Sequence, residues 1–187
     1  ATNNIQQSTP LTKNWNWISV YVDNETGNAI NDVLRSINPN GIQIKEPNGF
    51  ANYYAEAGVW FGLLEKINNA SMYKMKMTAA DTLVANGKAV GNVNIDVNKG
   101  WNWIPYTRSF PITIDDAFAS VVPSRNDQVK GQDGFAMYNG ISWTGKLTSL
   151  TPGKGYLYKR NSDSKATIVY PEQRNVAPVA MAQGRRM

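Results

Sequence analysis

Trp15-Asn16-Trp17-Ile18 and Trp101-Asn102-Trp103-Ile104 are one tetrapeptide written twice, 86 residues apart in a chain of 187. Lys13 and Lys99 precede the two copies, each two residues before the first Trp. Working outward, further blocks recur in the same order. Gln43-Ile44-Lys45 matches Gln128-Val129-Lys130, and Gly49-Phe50-Ala51-Asn52-Tyr53 matches Gly134-Phe135-Ala136-Met137-Tyr138. Trp60-Phe61-Gly62-Leu63-Leu64 matches Trp143-Thr144-Gly145-Lys146-Leu147, and Tyr73 and Lys76 match Tyr156 and Lys159. Trp60 to Tyr73 and Trp143 to Tyr156 both span 13 residues, whereas Trp17 to Phe50 is 33 and Trp103 to Phe135 is 32. Spacings this well kept, slipping only in loops, predict an internal duplication.

Each copy also carries one apolar set at helical spacing: Ile30, Val33, Leu34 and Ile37 in the first, Ile114, Ala117, Phe118 and Val121 in the second. The i, i+3, i+4, i+7 pattern predicts one short helix per copy with one buried face. Thr113 and Asp116 have capping-box spacing, and Asn38-Pro39-Asn40-Gly41 and Pro123 stop the two helices. Short strands are predicted at 15–22, 42–46, 50–54, 59–65 and 72–77, and again near 127–130, 135–139, 142–148, 155–160 and 165–170. Between the copies, 82–84 and 92–97 read as strands with a turn at Asn86-Gly87. The fold class is therefore mainly β (α+β by strict count), an internally duplicated β-rich domain with one short helix per repeat. The expected organisation is an N-terminal linker over 1–10, copy one over 11–96, copy two over 97–171, and a C-terminal linker over 172–187 leading to a further domain.

Composition narrows the chemistry. The chain is 42% apolar, 18% charged and 11% aromatic, which resembles a turn-rich extracellular β protein and argues against disorder of its body. It has no Cys, so disulfides and thiolate metal sites are excluded, although that count fixes no compartment. It has no His, which removes the commonest general base and metal ligand. The net charge of +5 is scattered, without a Lys/Arg run that would mark a nucleic-acid stripe. No apolar stretch is long enough to span a membrane. A start at Ala1 with no signal peptide reads as a processed protein or an excised fragment whose export signal is gone.

Six Trp invite a carbohydrate-binding reading, because exposed indoles stack on sugars. Against it, they fall as three in each copy at matching places, so Trp15, Trp17, Trp101 and Trp103 are expected in the core. Trp60 and Trp143 with the non-repeated Tyr54, Tyr106 and Tyr158 are the candidate ligand-binding residues. Phe61 and Phe110 are also unrepeated. Asn16 and Asn102 face away from the Trp and are expected to fix a neighbouring turn through side-chain hydrogen bonds. Asp115-Asp116 could suggest paired carboxylates, but at a helix start acids serve the dipole and the cap. Asp23, Glu25, Asp127 and Asp133 lie in turns without any calcium-loop spacing. Gly153-Lys154-Gly155 lacks the rest of a phosphate loop. No catalytic residue, metal site or cofactor is expected.

The set Leu/Val-x-Lys-x-Trp-Asn-Trp-Ile, Phe-Ala-x-Tyr, Trp-x-Gly-x-Leu and Gly-x-Gly-Tyr-x-Tyr-Lys resembles a tandem module of large secreted or surface-exposed proteins of Bacteroidetes-type bacteria. The resemblance covers about residues 11–171. Copy one departs from Gly-x-Gly-Tyr, having Asn69-Ala70-Ser71-Met72-Tyr73. It implies export, an extracellular or cell-surface location, adjacent domains in a larger chain, and a noncatalytic role in adhesion, spacing or ligand presentation, with glycans or surface proteins as partners. The alternative is a carbohydrate-binding module or surface glycan-binding protein using exposed aromatics. An enzyme is the third and weakest reading.

Overall fold

The computed structural model describes residues 4–173. The first half runs β1 (Asn4–Leu11), β2 (Asn14–Ile18), β3 (Val22–Asp23), α1 (Ile30–Val33) with a 3-10 turn at Arg35–Ile37, β4 (Gly41–Glu46), β5 (Gly49–Tyr54), β6 (Val59–Gly62), β7 (Tyr73–Met77) and β8 (Asp81–Ala89). The second runs β9 (Ile95–Val97), β10 (Gly100–Pro105), β11 (Ile112–Thr113), α2 (Ile114–Ala117) with a 3-10 turn at Ala119–Val121, β12 (Gln128–Gly131), β13 (Gly134–Tyr138), β14 (Trp143–Gly145), β15 (Ser149–Leu150), β16 (Gly155–Arg160) and β17 (Ala166–Ile168). The protein is mainly β, with one short helix in each half.

Two five-stranded sheets dominate, ordered β2-β7-β4-β5-β6 and β10-β16-β12-β13-β14, and every pairing within them is antiparallel. Their registers correspond: Asn16 faces Met75 as Asn102 faces Tyr158, and Ile44 faces Ala51 as Val129 faces Ala136. The helix in each half is tied to the same neighbour, since Ile30 N–H donates to Glu65 C=O (2.9 Å) and Ile114 N–H to Thr148 C=O (3.0 Å). Thr113 Oγ1 accepts from Asp116 N–H at the start of α2, the forward bond of a capping box. β9 pairs with β17, and Ile95 and Val97 pack in the second cluster.

The buried apolar side chains form two clusters, one drawn from Leu11 to Ala85 and the other from Ile95 to Tyr170. In both, the helix face predicted from spacing packs on the inner side of the sheet. Each large side chain so buried contributes about 1.5–3 kcal/mol.

Three expectations need correction. Residues 1–10 are not a free linker along their described part. β1 pairs along its length with β8, and Gln7, Thr9 and Leu11 turn inward. Polar residues are admitted there because Gln7 is fully bonded: it accepts from Tyr21 N–H and donates to Ser19 C=O and Thr9 Oγ1. Asn86-Gly87 is not a turn but the middle of β8. Asp23 backbone lies 2.2 Å from where a Cβ on residue 87 would sit, so Gly is needed for close approach, not for reversal. Third, Trp15, Trp17, Trp101 and Trp103 are outside the core. The opposite phase of each strand faces in, led by Asn16, Ile18 and Ile104. From residue 174 onward the expected C-terminal linker lies outside the described residues.

Candidate functional site

The inverted phase of the double-Trp strands begins with Asn. Asn16 Oδ1 accepts from Thr12 N–H (2.9 Å), and Asn16 Nδ2 donates to the Thr12, Asn14 and Met75 carbonyls. Asn102 repeats the arrangement: Oδ1 accepts from Asn98 N–H (3.0 Å), and Nδ2 donates to the Asn98, Gly100 and Tyr158 carbonyls. Each clasp closes a turn whose following residue is left-handed, Asn14 at φ 74° and Gly100 at φ 91°. A carboxamide bonded at both ends can be turned inward at little cost. With side-chain period two, the flanking Trp then point out.

On the outer face the indoles meet lysines. Across the first sheet the register aligns Trp15, Lys76, Gln43, Asn52 and Phe61 in one row, and Trp17, Lys74, Lys45 and Phe50 in the next. In the second sheet the rows are Trp101, Lys159, Gln128, Met137 and Thr144, then Trp103, Leu157, Lys130 and Phe135. Lys45 and Lys76 Nζ lie 4.6 and 5.8 Å from the centre of Trp15, and Lys130 and Lys159 lie 5.1 and 5.7 Å from Trp101. Lys74 stands between the halves, 4.8 Å from Trp17 and 4.5 Å from Trp103. Cation–π contacts contribute about 0.5–1 kcal/mol at exposed sites. Burial lowers the Lys74 pKa and the nearby Lys45 charge lowers it further. None of these five lysines joins the four ion pairs among the described residues.

The halves meet reciprocally at this face. Trp17 lines a cleft of about 290 Å³ beside Tyr156 and Gln132 of the second half. Trp103 lines one of about 520 Å³ beside Tyr73 and Pro47 of the first. Each cleft is floored by a Tyr hydroxyl that accepts a backbone N–H, Tyr73 from Asn68 (3.1 Å) and Tyr156 from Thr151 (2.7 Å). Burial raises both tyrosine pKa values, and those bonds oppose the rise. The departure at Met72 has a physical reason here. A Cβ at the matching Gly155 would fall 2.7 Å from Met72 Cβ and 2.9 Å from Ile18 C=O, so with Met72 in place residue 155 must be Gly.

The candidate ligand residues scatter. Trp60, Tyr106 and Tyr158 are buried and offer no ring face to a ligand, which corrects their assignment. Trp60 Nε1 donates to Asn38 Oδ1, Tyr106 OH donates to Phe110 C=O, and Tyr158 OH donates to Asp127 Oδ2. Trp143 is half-buried against Phe118, Tyr138 and Tyr158. Tyr54 is exposed, edge-on to Phe61 with the planes at 65°, so the two do not form a flat platform. Phe61 is 71% and Leu63 83% exposed at the far edge of the first sheet.

Sequence reasoning missed the lysines, though Lys45/Lys130 and Lys76/Lys159 were recurrent and each stands one residue out of phase with the buried positions of its strand. Asp115 and Asp116 are exposed at the start of α2. Among the described residues no three His, Cys, Asp or Glu side chains are grouped to hold a metal ion, and no helix is long and apolar enough to cross a membrane. No family model matches the chain, and neither a curated protein nor a solved structure matches it.

Proposed function

We propose that this chain is a duplicated, noncatalytic module of an exported multidomain protein, serving adhesion, spacing or ligand presentation at the cell surface. The resemblance of its repeated motifs to such modules motivates the reading. The observation that carries it is the pair of outer sheet faces on which lysines with no carboxylate partner among the described residues alternate with indoles. Such a face leaves Trp101, Phe50, Phe61 and Phe135 exposed outside both cores, which fits a contact surface. Deleting the module from its parent protein should reduce surface attachment or shorten the reach of the next domain. Unchanged attachment and reach, or turnover of any bound glycan or peptide, would overturn the proposal.

The second reading, carbohydrate binding, is favoured by Trp101, which is 45% exposed between Lys130 and Lys159. Those cations direct it to acidic glycans rather than neutral ones. A glycan array followed by Trp-emission titration tests it: saturable binding of uronate- or sulfate-bearing chains, lost in Trp101→Ala, is the expected result. Absence of any hit would remove this reading and leave protein partners.

A further inference from the structure

Two strands lie at the edges where the halves meet, and their outer edges are treated differently. β2 ends the first sheet, and β10 ends the second. On β2 the Gln132 carboxamide sits against the free edge like a piece of a neighbouring strand: Nε2 donates to Trp15 C=O (2.9 Å) and Oε1 accepts from Trp17 N–H (2.7 Å). Further along, Ser19 N–H donates to Gly153 C=O (2.9 Å), and Ile18 bridges to Lys154. The β2 edge is thereby closed.

The corresponding edge of β10 meets different residues. Its register on β16 is that of β2 on β7, so Trp101 C=O and Trp103 N–H point away from the sheet as their counterparts do. Where Gln132 stands in the second half, the first has Pro47, which has no carboxamide to offer. Where Ser19 donates, β10 has Pro105, which has no N–H. No bond to Trp103 N–H or Trp101 C=O from beyond this sheet is present among the described residues. The cleft beside this edge is the larger of the two, about 520 Å³, with Pro47, Leu64 and Trp103 on its walls.

We propose that the outer edge of β10 at Trp101 and Trp103, with the cleft beside Pro47, is a docking site for an extended segment of a partner protein that adds to β10 as a strand. Gln132 shows what the edge accepts: a donor and an acceptor presented on one side, spanning a carbonyl and the N–H two residues on. An extended peptide residue presents its own N–H and C=O to the same side of its strand. The acetamido group of a sugar is a trans secondary amide whose N–H and C=O point opposite ways, so it cannot make both bonds. Main-chain bonds supply affinity in this mode, and the Trp103–Leu64 wall selects an apolar side chain. The inference deepens the noncatalytic reading and rests on it only in taking the partner as held and not converted.

The test is selection of a phage-displayed random dodecapeptide library on the whole chain, read by amide hydrogen exchange at Trp103 and Trp17. Without peptide, Trp103 N–H exchanges faster than Trp17 N–H. Selected peptides protect Trp103. Pro47→Gln, which supplies the missing carboxamide, weakens them about tenfold or more, the loss expected from competition with an intramolecular bond pair. Ala70→Trp, at an exposed residue on the cleft rim, does the same without touching the edge. Protection of Trp17 reports that each variant is folded. Four results overturn the proposal: no peptide selected, peptides indifferent to both variants, protection of Trp103 by N-acetylglucosamine oligomers, or protection by self-association of the chain. Binding of acidic glycans through Trp101, Lys130 and Lys159 would survive Pro47→Gln, so failure here and failure of the surface reading are separable.

Discussion

Met75 and Met77 in the first half occupy the strand positions that Tyr158 and Arg160 occupy in the second, and both pairs are buried. The first half fills its sheet with flexible apolar side chains under α1. The second instead buries an ionic network: Asp127 accepts from Tyr158 OH (2.7 Å), Ser124 N–H and Asn161 N–H, with Arg160 Nη1 at 4.0 Å. Arg160 also donates to Ser164 C=O and Oγ. One backbone plan thus tolerates two core chemistries. What must match is the inward phase of the strand; the group placed there can be apolar or polar, and the polar set is held by the bonds to Asp127 and Ser164, although Arg160 Nη1 makes no hydrogen bond and meets Asp127 only by charge at 4.0 Å.

The comparison is broken hardest by alkali. Burial raises the pKa of Tyr158, with the Asp127 hydrogen bond and charge adding to it, and burial likewise raises Tyr106, Tyr170 and Tyr156. In the first half only Tyr73 and Tyr21 are raised. A hydroxyl whose folded pKa exceeds its unfolded value contributes stability that is intact below the ordinary value of 10.0 and is lost as pH climbs through the raised one. Above pH 10 the second half should therefore unfold before the first. Residue-resolved amide exchange across β16 and β7 checks the order, and simultaneous loss would show that the halves are energetically fused.

Asp127→Ala should be the most damaging single substitution, about 3–5 kcal/mol, because it leaves Arg160 buried without its counter-charge. Met77→Leu, at the place matching Arg160, should cost less than about 1.5 kcal/mol as a volume-conserving swap. Denaturant midpoints of the two variants give the contrast directly. Asn16→Ala and Asn102→Ala should each cost about 1–3 kcal/mol by orphaning turn amides and carbonyls. The loss should be larger at Asn16, which is buried, than at Asn102, which is only half-buried. Thermal melts of the pair decide whether the clasps are equivalent. Smallest is Lys74→Met, which removes the cation shared by Trp17 and Trp103 and should cost about 1 kcal/mol. A wider gap between the unfolding of the two halves would show that Lys74 couples them.

The matched blocks around Trp-Asn-Trp-Ile, the 3.6-period helix faces and the turn residues between strands determined a β-rich chain with two short helices. These are local or periodic signals, readable from one strand of text. Which face of each strand turned inward was decided only in three dimensions. Trp is larger and more apolar than Asn, so residue type alone puts Trp15 and Trp17 inside. Asn16 is bonded at every polar atom to a turn and a neighbouring strand, and a shift of one residue in phase exchanges the two faces. The buried fates of Tyr106 and Tyr158 were likewise illegible, since each depends on a partner distant in sequence or in an irregular loop, Asp127 for one and Phe110 for the other. The open edge of β10 was hidden for the same reason: Pro47 and Gln132 occupy matching places in unremarkable turns, and their difference acquires meaning only when each turn is brought against the other half's edge strand.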